Sequence, residues 1–449
     1  MQSVLSLSAT QQAKLIRDRK LSSVELIEAH LERIAAVNPL LNAATEVVAN
    51  GALAEARQAD RSAPRGPLHG VPFSVKDSLE LAGTVCTAGT LGRRNAAPST
   101  TDAALIAKLR SAGAIPIAKT NLPDLLFAFE TDNLLFGRTN NPYDRTRTCG
   151  GSSGGEAALI AACGSPFGLG SDCAGSVRLP AAFCGIAGLK PTSGRLPREG
   201  HFPPAGGWIE SLWQIGPMAR RVEDLRLLLA PLAPIDVPGL KIAFHTDNGF
   251  IPATSEVASV IQAAARELSA VEDRPACIAG AYDLEMKILG ADGGDGVRAY
   301  LSEIGSTKVH PLLTGWLDKL EAYRTDLTGF QRYWAEWDAY RAQMTAFFQR
   351  YDAIVCPAYT QPALPHGTST IDNNFRGFSY TMAYNVAGLP AAVVRCGESA
   401  TGLPIAVQVV ARPRREDVAL AIAEKLEQAF GGWQAPAVLS ELSVPASAR

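Results

Sequence analysis

Glycine and serine are concentrated in two short segments of this chain. The first is Cys149–Glu156, which reads Cys-Gly-Gly-Ser-Ser-Gly-Gly-Glu, and the second is Gly170–Ser176, which ends in Ala-Gly-Ser. Glycine-rich turns adopt positive φ without Cβ strain and direct successive backbone amides toward one point. Such a nest of amides beside a serine hydroxyl is the arrangement that stabilises the oxyanion of an acyl-transfer intermediate. A single glycine loop is as often a packing turn, so this feature alone leaves both interpretations open.

A lysine in an apolar segment supplies a candidate base. Lys76 ends the run Gly70–Lys76, and its apolar neighbours are Val71, Phe73 and Val75. A lysine amine has an ordinary pKa of about 10.4, and lowering it to about 7 needs about 4 kcal/mol of differential stabilisation. Burial would supply part of this, and the carboxylate of Asp77 is expected to point elsewhere. Taken alone, such a lysine is more often a solvated cation.

Other nucleophile arrangements fit less well. Residues 151–155 satisfy the Gly-x-Ser-x-Gly elbow, which would make Ser153 the nucleophile, but the elbow requires a preceding hydrophobic strand and residues 140–147 are polar. His245 and His366 are the late histidines available to a Ser-His-Asp triad, which the sequence disfavours. No serine stands three residues before a lysine, and no Gly-Lys-Ser/Thr phosphate loop is present.

Composition excludes several classes of partner. The formal net charge is −2, with 47% hydrophobic and 19% charged residues, so neither nucleic acid nor a membrane surface is expected to bind. Residues 1–12 do not resemble a secretory signal, so we expect a cytoplasmic protein. The eight cysteines lack metal-site spacing, and we expect free thiols, no metal and no cofactor.

The pattern of elements favours an α/β fold. Short apolar strands are predicted at 70–79, 114–118 and 167–172, with helices at 101–109 and 154–162 between them. An earlier helix, capped by Ser22 or Ser23, carries His30 on its inner face as a core histidine. Residues 232–350 are predicted to be a variable helical region that contributes to the substrate pocket. Late strands at 351–357, 391–394 and 405–410 and a helix at 416–430 complete one predicted domain, residues 1–449.

Taken together, these segments resemble the amidase signature family. The similarity extends over nearly the whole chain and is weakest at 232–350; it is carried by the segments 70–77, 119–123, 137–143, 150–162, 170–192, 214–220, 385–390 and 402–408. The family uses a serine, a second serine with a cis peptide, and a lysine. The resemblance implies Ser176 as nucleophile, Ser152 as proton relay and Lys76 as base, with the family spacing 176 − 152 = 24.

The resemblance also implies supporting groups and shows one departure. Ser153, Asp172 and Arg178 match positions that hold the two serine turns together. The backbone amides of the predicted oxyanion hole belong to Cys173, Ala174, Gly175 and Ser176. The family commonly has Ile-Gly-Gly-Ser where this chain has Cys-Ala-Gly-Ser at 173–176. This departure affects the shape of the predicted oxyanion hole, while the backbone amide donors are retained.

The expected fold and function follow from the same resemblance. The fold would be a large mixed, mostly parallel twisted sheet covered by helices on both faces. The segment 188–203 is nearest to the fatty acid amide hydrolase branch, which implies a small-molecule amide, ester or carbamate substrate and an acyl-enzyme. The alternative is an amidotransferase subunit of a transamidation complex. A binding module without activity is disfavoured because all three catalytic residues are present, and we expect a monomer or homodimer.

Overall fold

The fold is an α/β arrangement built on one large sheet. The computed structural model describes residues 2–204, 206–229 and 235–441, so residues 232–234 of the predicted helical region lie outside the described residues. Eleven strands occur in the described part of the chain: β1 (Ala44–Val47), β2 (Pro72–Lys76), β3 (Ile115–Thr120), β4 (Phe167–Asp172), β5 (Ala187–Lys190), β6 (Gln214–Ala219), β7 (Ile242–Phe244), β8 (Val271–Glu272), β9 (Ala353–Pro357), β10 (Ala391–Glu398) and β11 (Pro404–Ala411).

Helices connect and cover these strands. In the described ranges they are α1 (Gln2–Leu5), α2 (Ala9–Arg17), α3 (Ser23–Leu41), α4 (Ala49–Arg61), α5 (Ala104–Ser111), α6 (Gly154–Ala161), α7 (Arg178–Phe183), α8 (Val222–Leu225), α9 (Ser255–Glu267), α10 (Ala281–Leu289), α11 (Asp295–Glu303), α12 (Pro311–Glu321), α13 (Leu327–Phe347), α14 (Asp372–Gly377), α15 (Ser379–Val386), α16 (Glu416–Phe430) and α17 (Ala437–Glu441). Within 2–204, 206–229 and 235–441, no helix is long and apolar enough to cross a lipid bilayer.

The sheet is mixed, as predicted, but the predicted predominance of parallel pairing is wrong. The strand order is β1-β3-β2-β4-β6-β5-β10-β11-β9-β7-β8. Six of the described strand pairs are antiparallel and four are parallel. The antiparallel pairs dominate the middle of the sheet, where β10 and β11 are joined by a turn at 399–403. A connection this short cannot make the crossover that parallel strands need.

Helices cover both faces of the sheet, as predicted. On one face, here called the α16 face, Phe73 and Val75 of β2 pack with Phe167 of β4 and with α5, α9 and α16. On the other, the α6 face, the apolar side chains of α3, α6 and α7 form a second cluster. Side chains alternate along a strand, so Ser74 and Lys76 of β2 point to the α6 face.

Two local predictions from the sequence are confirmed. Helix α3 begins at Ser23, and the Ser22 hydroxyl accepts a hydrogen bond from the amide of Glu25 while the Glu25 carboxylate accepts one from Ser22. His30 is fully buried on this helix, where Nδ1 faces the carbonyl oxygens of Cys163 and Gly164. His30 is therefore a core histidine.

Candidate active site

Lys76 and Ser152 are in direct contact at the C-terminal end of β2. Lys76 Nζ lies 2.7 Å from Ser152 Oγ and 3.1 Å from Ser171 Oγ, and the carbonyl oxygen of Ser171 is 3.5 Å away. Its three hydrogen-bond partners are therefore uncharged oxygens. Ser152 stands in the loop that leads into α6, and Ser171 is the penultimate residue of β4.

The amine of Lys76 is removed from solvent. The side chain is 0% exposed, and burial lowers its pKa well below the ordinary value against the opposing charges of Asp172 and Glu156. The apolar residues expected to bury it do not do so, because Val71, Phe73 and Val75 belong to the cluster on the α16 face. Alternation along β2 places Lys76 on the opposite face, where the loop before α6 covers it.

The turn that carries Ser152 is held by hydrogen bonds to Thr131 and by close packing against Glu130. The Gly151–Ser152 peptide bond is cis, the form that the resemblance implied. Thr131 Oγ1 donates to the carbonyl of Gly150 at 2.9 Å and accepts from the amide of Gly154 at 3.1 Å. A Cβ at Gly151 would lie 2.7 Å from the backbone of Glu130, so the close approach of these two segments requires glycine.

Ser153 joins the two serine turns. Its amide donates to the carbonyl of Ser176 at 3.1 Å. Its hydroxyl lies 3.3 Å from both the amide and the carbonyl oxygen of Ser171. With all of its polar groups used in this way, Ser153 has the contacts of a structural residue.

Asp172 organises the second turn. Its carboxylate accepts hydrogen bonds from the amides of Gly175 at 2.8 Å and Val177 at 3.2 Å. Arg178 binds the same carboxylate through Nε and Nη2, each at 2.9 Å, and both side chains are 0% exposed. Burial alone would raise the pKa of Asp172, but the Arg178 guanidinium outweighs it and holds this pKa well below the ordinary range.

The amides of the second turn are not all free. Of the four amides predicted for the oxyanion hole, that of Gly175 already has an acceptor, Asp172 Oδ1, at 2.8 Å. The amides of Cys173, Ala174 and Ser176 donate to no acceptor among the described residues. Gly175 has φ +129, and a Cβ there would lie 2.3 Å from Thr381 Oγ1. This position therefore requires glycine for its conformation and for space.

Ser152 and Ser176 open into the same pocket. The pocket encloses about 470 Å³ of space free of atoms, part of it open to solvent. Its lining is otherwise apolar or weakly polar: Leu126, Phe127, Ala128, Phe129, Cys173, Ala174, Ile209, Trp213, Leu289 and Trp316. Leu289 and Trp316 come from α10 and α12, within the predicted helical region. Among the described residues no hydrogen bond joins the hydroxyls of Ser152 and Ser176, although they share this cavity.

The histidines of the disfavoured triad lie elsewhere. His245 Nε2 is 3.3 Å from the hydroxyl of Tyr384, and His366 Nε2 is 3.1 Å from the carbonyl of Arg145. In the described part of the chain, neither forms a hydrogen bond with Ser153. The region described also contains no group of three or more His, Cys, Asp or Glu side chains placed to hold a metal ion.

Three polar residues of the site were not identified from the sequence as functional. Ser171 contacts Lys76, and the charge of Glu156 raises the pKa of Lys76. Asn385 donates a hydrogen bond to Asp172 Oδ1 at 2.9 Å. Ser171 and Glu156 both stand inside the two glycine-serine segments, so their position was a usable signal. Asn385 comes from α15, more than 200 residues away; it begins the segment 385–390 that carries part of the resemblance, but nothing in that segment indicates a contact with Asp172.

Known proteins are similar to this chain over most of its length. The family model described as Amidase matches residues 25–420. Fatty-acid amide hydrolase 2 of Homo sapiens is 32% identical over 96% of this chain and 91% of its own length. One subunit of the glutamyl-tRNA(Gln) amidotransferase of Carboxydothermus hydrogenoformans is 32% identical over 94% of this chain and 97% of its own length.

A solved structure has the same fold. The 6-aminohexanoate cyclic dimer hydrolase complexed with substrate superposes with a TM-score of 0.86 at 27% identity, covering 97% of this chain and 99% of that one. The family match spans most of the chain, and the named relatives are similar to this chain over nearly their full lengths. This chain therefore belongs to the amidase family and is an amidase.

Proposed function

We propose that the chain is a self-contained serine amidohydrolase that forms an acyl-enzyme on Ser176, with Ser152 as proton relay and Lys76 as base. The observation that carries this proposal is the contact of a fully buried amine with a serine hydroxyl, Lys76 Nζ to Ser152 Oγ at 2.7 Å. A protonated lysine in such a place would ordinarily have a carboxylate partner, and Lys76 has hydroxyl and carbonyl oxygens instead.

The proposed proton path begins at the contact between Lys76 and Ser152. Neutral Lys76 accepts the proton of Ser152, Ser152 accepts that of Ser176, and Ser176 Oγ attacks the carbonyl carbon. The two hydroxyls are not hydrogen-bonded to each other, so they must approach when substrate binds, and catalytic hydrogen bonds commonly tighten at that stage. The proton then returns along the same path to the leaving nitrogen, and water repeats the sequence on the acyl-enzyme.

Stabilisation of the oxyanion is assigned to three backbone amides. Those of Cys173, Ala174 and Ser176 border the pocket without an internal acceptor, whereas Gly175 serves Asp172. Loss of one such donor typically costs about 3 kcal/mol of transition-state stabilisation. Asp172 and Arg178 support this role by fixing the turn, not by touching the reacting atoms.

The pocket favours a carbon-rich acyl group. Phe127, Phe129, Trp213 and Trp316 line it, and it contains no charged side chain among its lining residues. Apolar walls bind apolar groups through burial of surface, while the few polar atoms orient the reacting bond. We therefore propose aryl or alkyl amides as substrates, with esters and carbamates as further substrates of the same acyl chemistry.

One catalytic unit comprising residues 1–449 is part of this proposal. It is supported by the single eleven-stranded sheet that the described residues share and by the pocket walls from α10 and α12. The competing proposal is a component of an amidotransferase, supported by the similarity to the glutamyl-tRNA(Gln) amidotransferase chain. That function would require delivered ammonia and a partner subunit.

Hydrolysis by the isolated chain distinguishes a self-contained amidohydrolase from a component of an amidotransferase. The purified protein is assayed without partners on p-nitroanilides, esters and carbamates, and reacted with a fluorophosphonate probe. We expect turnover and stoichiometric labelling, both abolished by Ser176→Ala. Ser369→Ala, which alters another buried serine, is the control and should be labelled normally. Full labelling of the Ser176→Ala protein would refute the nucleophile, and activity only with added partner subunits would favour the amidotransferase.

A further inference from the structure

Glu156 is a buried carboxyl group that the proposed reaction does not use. It stands in the first turn of α6, is 0% exposed, and forms no ion pair among the described residues. Ser74 Oγ donates a short hydrogen bond to Oε1, and Thr120 Oγ1 donates to Oε2 at 2.7 Å. A buried carboxylate without a cation is costly, and two hydroxyl donors offset only part of that cost.

The sheet places this carboxyl beside the proposed base. Ser74 and Lys76 are on the same face of β2, two residues apart, which corresponds to about 7 Å along a strand. Thr120 of β3 is the register partner of Lys76, and Gly168 of β4 is that of Ser74. The carboxyl of Glu156 therefore lies over the adjacent strands β2, β3 and β4, on the same face of the sheet as Lys76.

Strand β4 has a glycine, Gly168, where the carboxyl of Glu156 approaches it. A Cβ at Gly168 would lie 1.8 Å from Glu156 Oε1, so any other residue at this point of β4 would displace the carboxyl. The space is needed because Oε1 reaches down to Ser74 on the adjacent strand. The position of Glu156 is therefore built into the backbone of the sheet.

The other ionisable groups around Lys76 are paired with a cation or are neutral. The groups that raise the pKa of Lys76 are, in decreasing order, Asp172, Glu156 and Cys173. Asp172 is paired with Arg178, and the neighbouring Asp77 is paired with Lys119. Burial raises the pKa of the Cys173 thiol well above its usual value, so this thiol is neutral. His201, whose pKa burial lowers well below its usual value, is also uncharged.

We infer that Glu156 is a positioning residue that sets the basicity of Lys76, an inference that rests on the proposed function of Lys76. Burial favours the neutral amine, and the nearby carboxylate favours the ammonium, so the two act against each other. The balance matters because a base whose pKa falls too low accepts a proton from serine poorly. Burial also raises the pKa of Glu156 itself to about 7, and the charge of Lys76 acts against that rise.

The pH dependence of acylation measures this balance. We follow the rate of fluorophosphonate labelling against pH, which needs no knowledge of the natural substrate. Glu156→Gln removes the charge and retains an amide that can bond Ser74 and Thr120. In the wild type, the labelling rate falls on the acid side of the pH profile as Lys76 gains its proton. Without the carboxylate, Lys76 loses its proton at lower pH, so this acid limb of the pH profile moves down by about one pH unit. The plateau rate at high pH falls several-fold, because the base is weaker.

Controls separate this effect from a loss of structure. Glu285→Gln changes another fully buried carboxyl, one that does not act on Lys76, and should leave the acid limb in place. If Glu156→Gln does not fold, Ser74→Ala removes a donor to the carboxylate and raises the pKa of Glu156, which moves the limb in the same direction by less.

Failure of the inference is distinct from failure of the proposed function. An acid limb at the same pH in Glu156→Gln and wild type, with Lys76→Ala inactive, would overturn the role of Glu156 alone. Labelling of Lys76→Ala at the wild-type rate would overturn the amine base, and with it the premise. A limb that moves in Glu285→Gln as much as in Glu156→Gln would also count against a specific role for Glu156.

Discussion

Asp77 is paired with Lys119 and not with the adjacent Lys76. Lys119 Nζ lies 2.7 Å from Asp77 Oδ1, and both side chains are almost fully buried. Successive residues of a strand point to opposite sides, so Asp77 leaves β2 on the side away from the Lys76 amine. This confirms the sequence-based expectation that the carboxylate points elsewhere. The anion adjacent to Lys76 in sequence is therefore engaged by another cation and does not pair with the Lys76 amine.

Lys76→Ala should abolish amide hydrolysis at neutral pH and regain a small part of it at high pH, where hydroxide replaces the amine. In the wild type, only the neutral amine accepts a proton, so activity should fall as pH falls through the pKa that burial has lowered. Initial rates on a p-nitroanilide across pH provide the measurement. Lys76→Arg is the matched variant, and it should be inactive at every pH because a guanidinium stays charged. Wild-type rates in Lys76→Ala would exclude an amine base.

Arg178→Met should destabilise the fold and impair catalysis together. The substitution leaves Asp172 buried without its cation, a loss of about 3–5 kcal/mol in the free energy of unfolding. Because Asp172 also holds the amides of Gly175 and Val177, the Ser176 turn should loosen. Denaturant unfolding and labelling rates give the two readouts. Arg324→Met breaks an exposed pair with Asp295 and should change both far less. Equal effects of the two substitutions would contradict this account.

Leu289→Ala should shift preference toward longer acyl groups. Leu289 is half-buried at the end of α10 and lines the pocket, so its truncation enlarges the cavity. A difference of one methylene in an apolar pocket changes kcat/KM by about 10-fold or more. A series of p-nitroanilides of increasing acyl length gives the comparison. Leu327→Ala, at an exposed leucine of α13, should leave the series unchanged. An unaltered ranking in Leu289→Ala would remove Leu289 from the acyl site.

The expectation that Val71, Phe73 and Val75 bury Lys76 was wrong, although the alternation of side chains along β2 contained the information needed to correct it, whereas the partners of distant strands were not accessible from the sequence. Alternation in residues 70–76 places Val71, Phe73 and Val75 together and Lys76 opposite, so the lysine is buried by other segments. The pairing of β10 with β5 joins segments about 200 residues apart, which periodicity does not encode. The pairing of β10 with β11 is local, and the short turn at 399–403 was a usable signal for it. The antiparallel pairs between distant strands were missed because no local pattern specifies them.

The residues of the site were accessible to sequence reasoning to different degrees. The contact of Lys76 with Ser152 agrees with the motif resemblance, since that resemblance specifies residues at long separation. The engagement of the Gly175 amide was not predictable, because it depends on the rotamer of Asp172 in the folded turn. Glu156 is visible in the motif, but only its hydroxyl partners on β2 and β3 reveal that it has no cation.

Glu285 should make the protein less stable as pH rises. It is 0% exposed, both carboxyl oxygens lack a hydrogen-bond partner among the described residues, and burial raises its pKa well above 4.5. The folded protein keeps this proton and the unfolded chain releases it above about pH 4.5. The contribution of Glu285 to the free energy of unfolding is therefore fully present below that pH. As pH rises, it declines by about 1.4 kcal/mol per pH unit until the pKa of Glu285 in the folded protein is reached.

Glu285→Gln removes this dependence. The free energy of unfolding of the variant, relative to wild type, should be most favourable near pH 7 and decline toward pH 4.5, as measured by denaturant titration at several pH values. Glu303→Gln, at an exposed position of α11, is the control and should follow the wild type at every pH. A constant difference between Glu285→Gln and wild type across this range would mean that Glu285 is ionised in the folded protein.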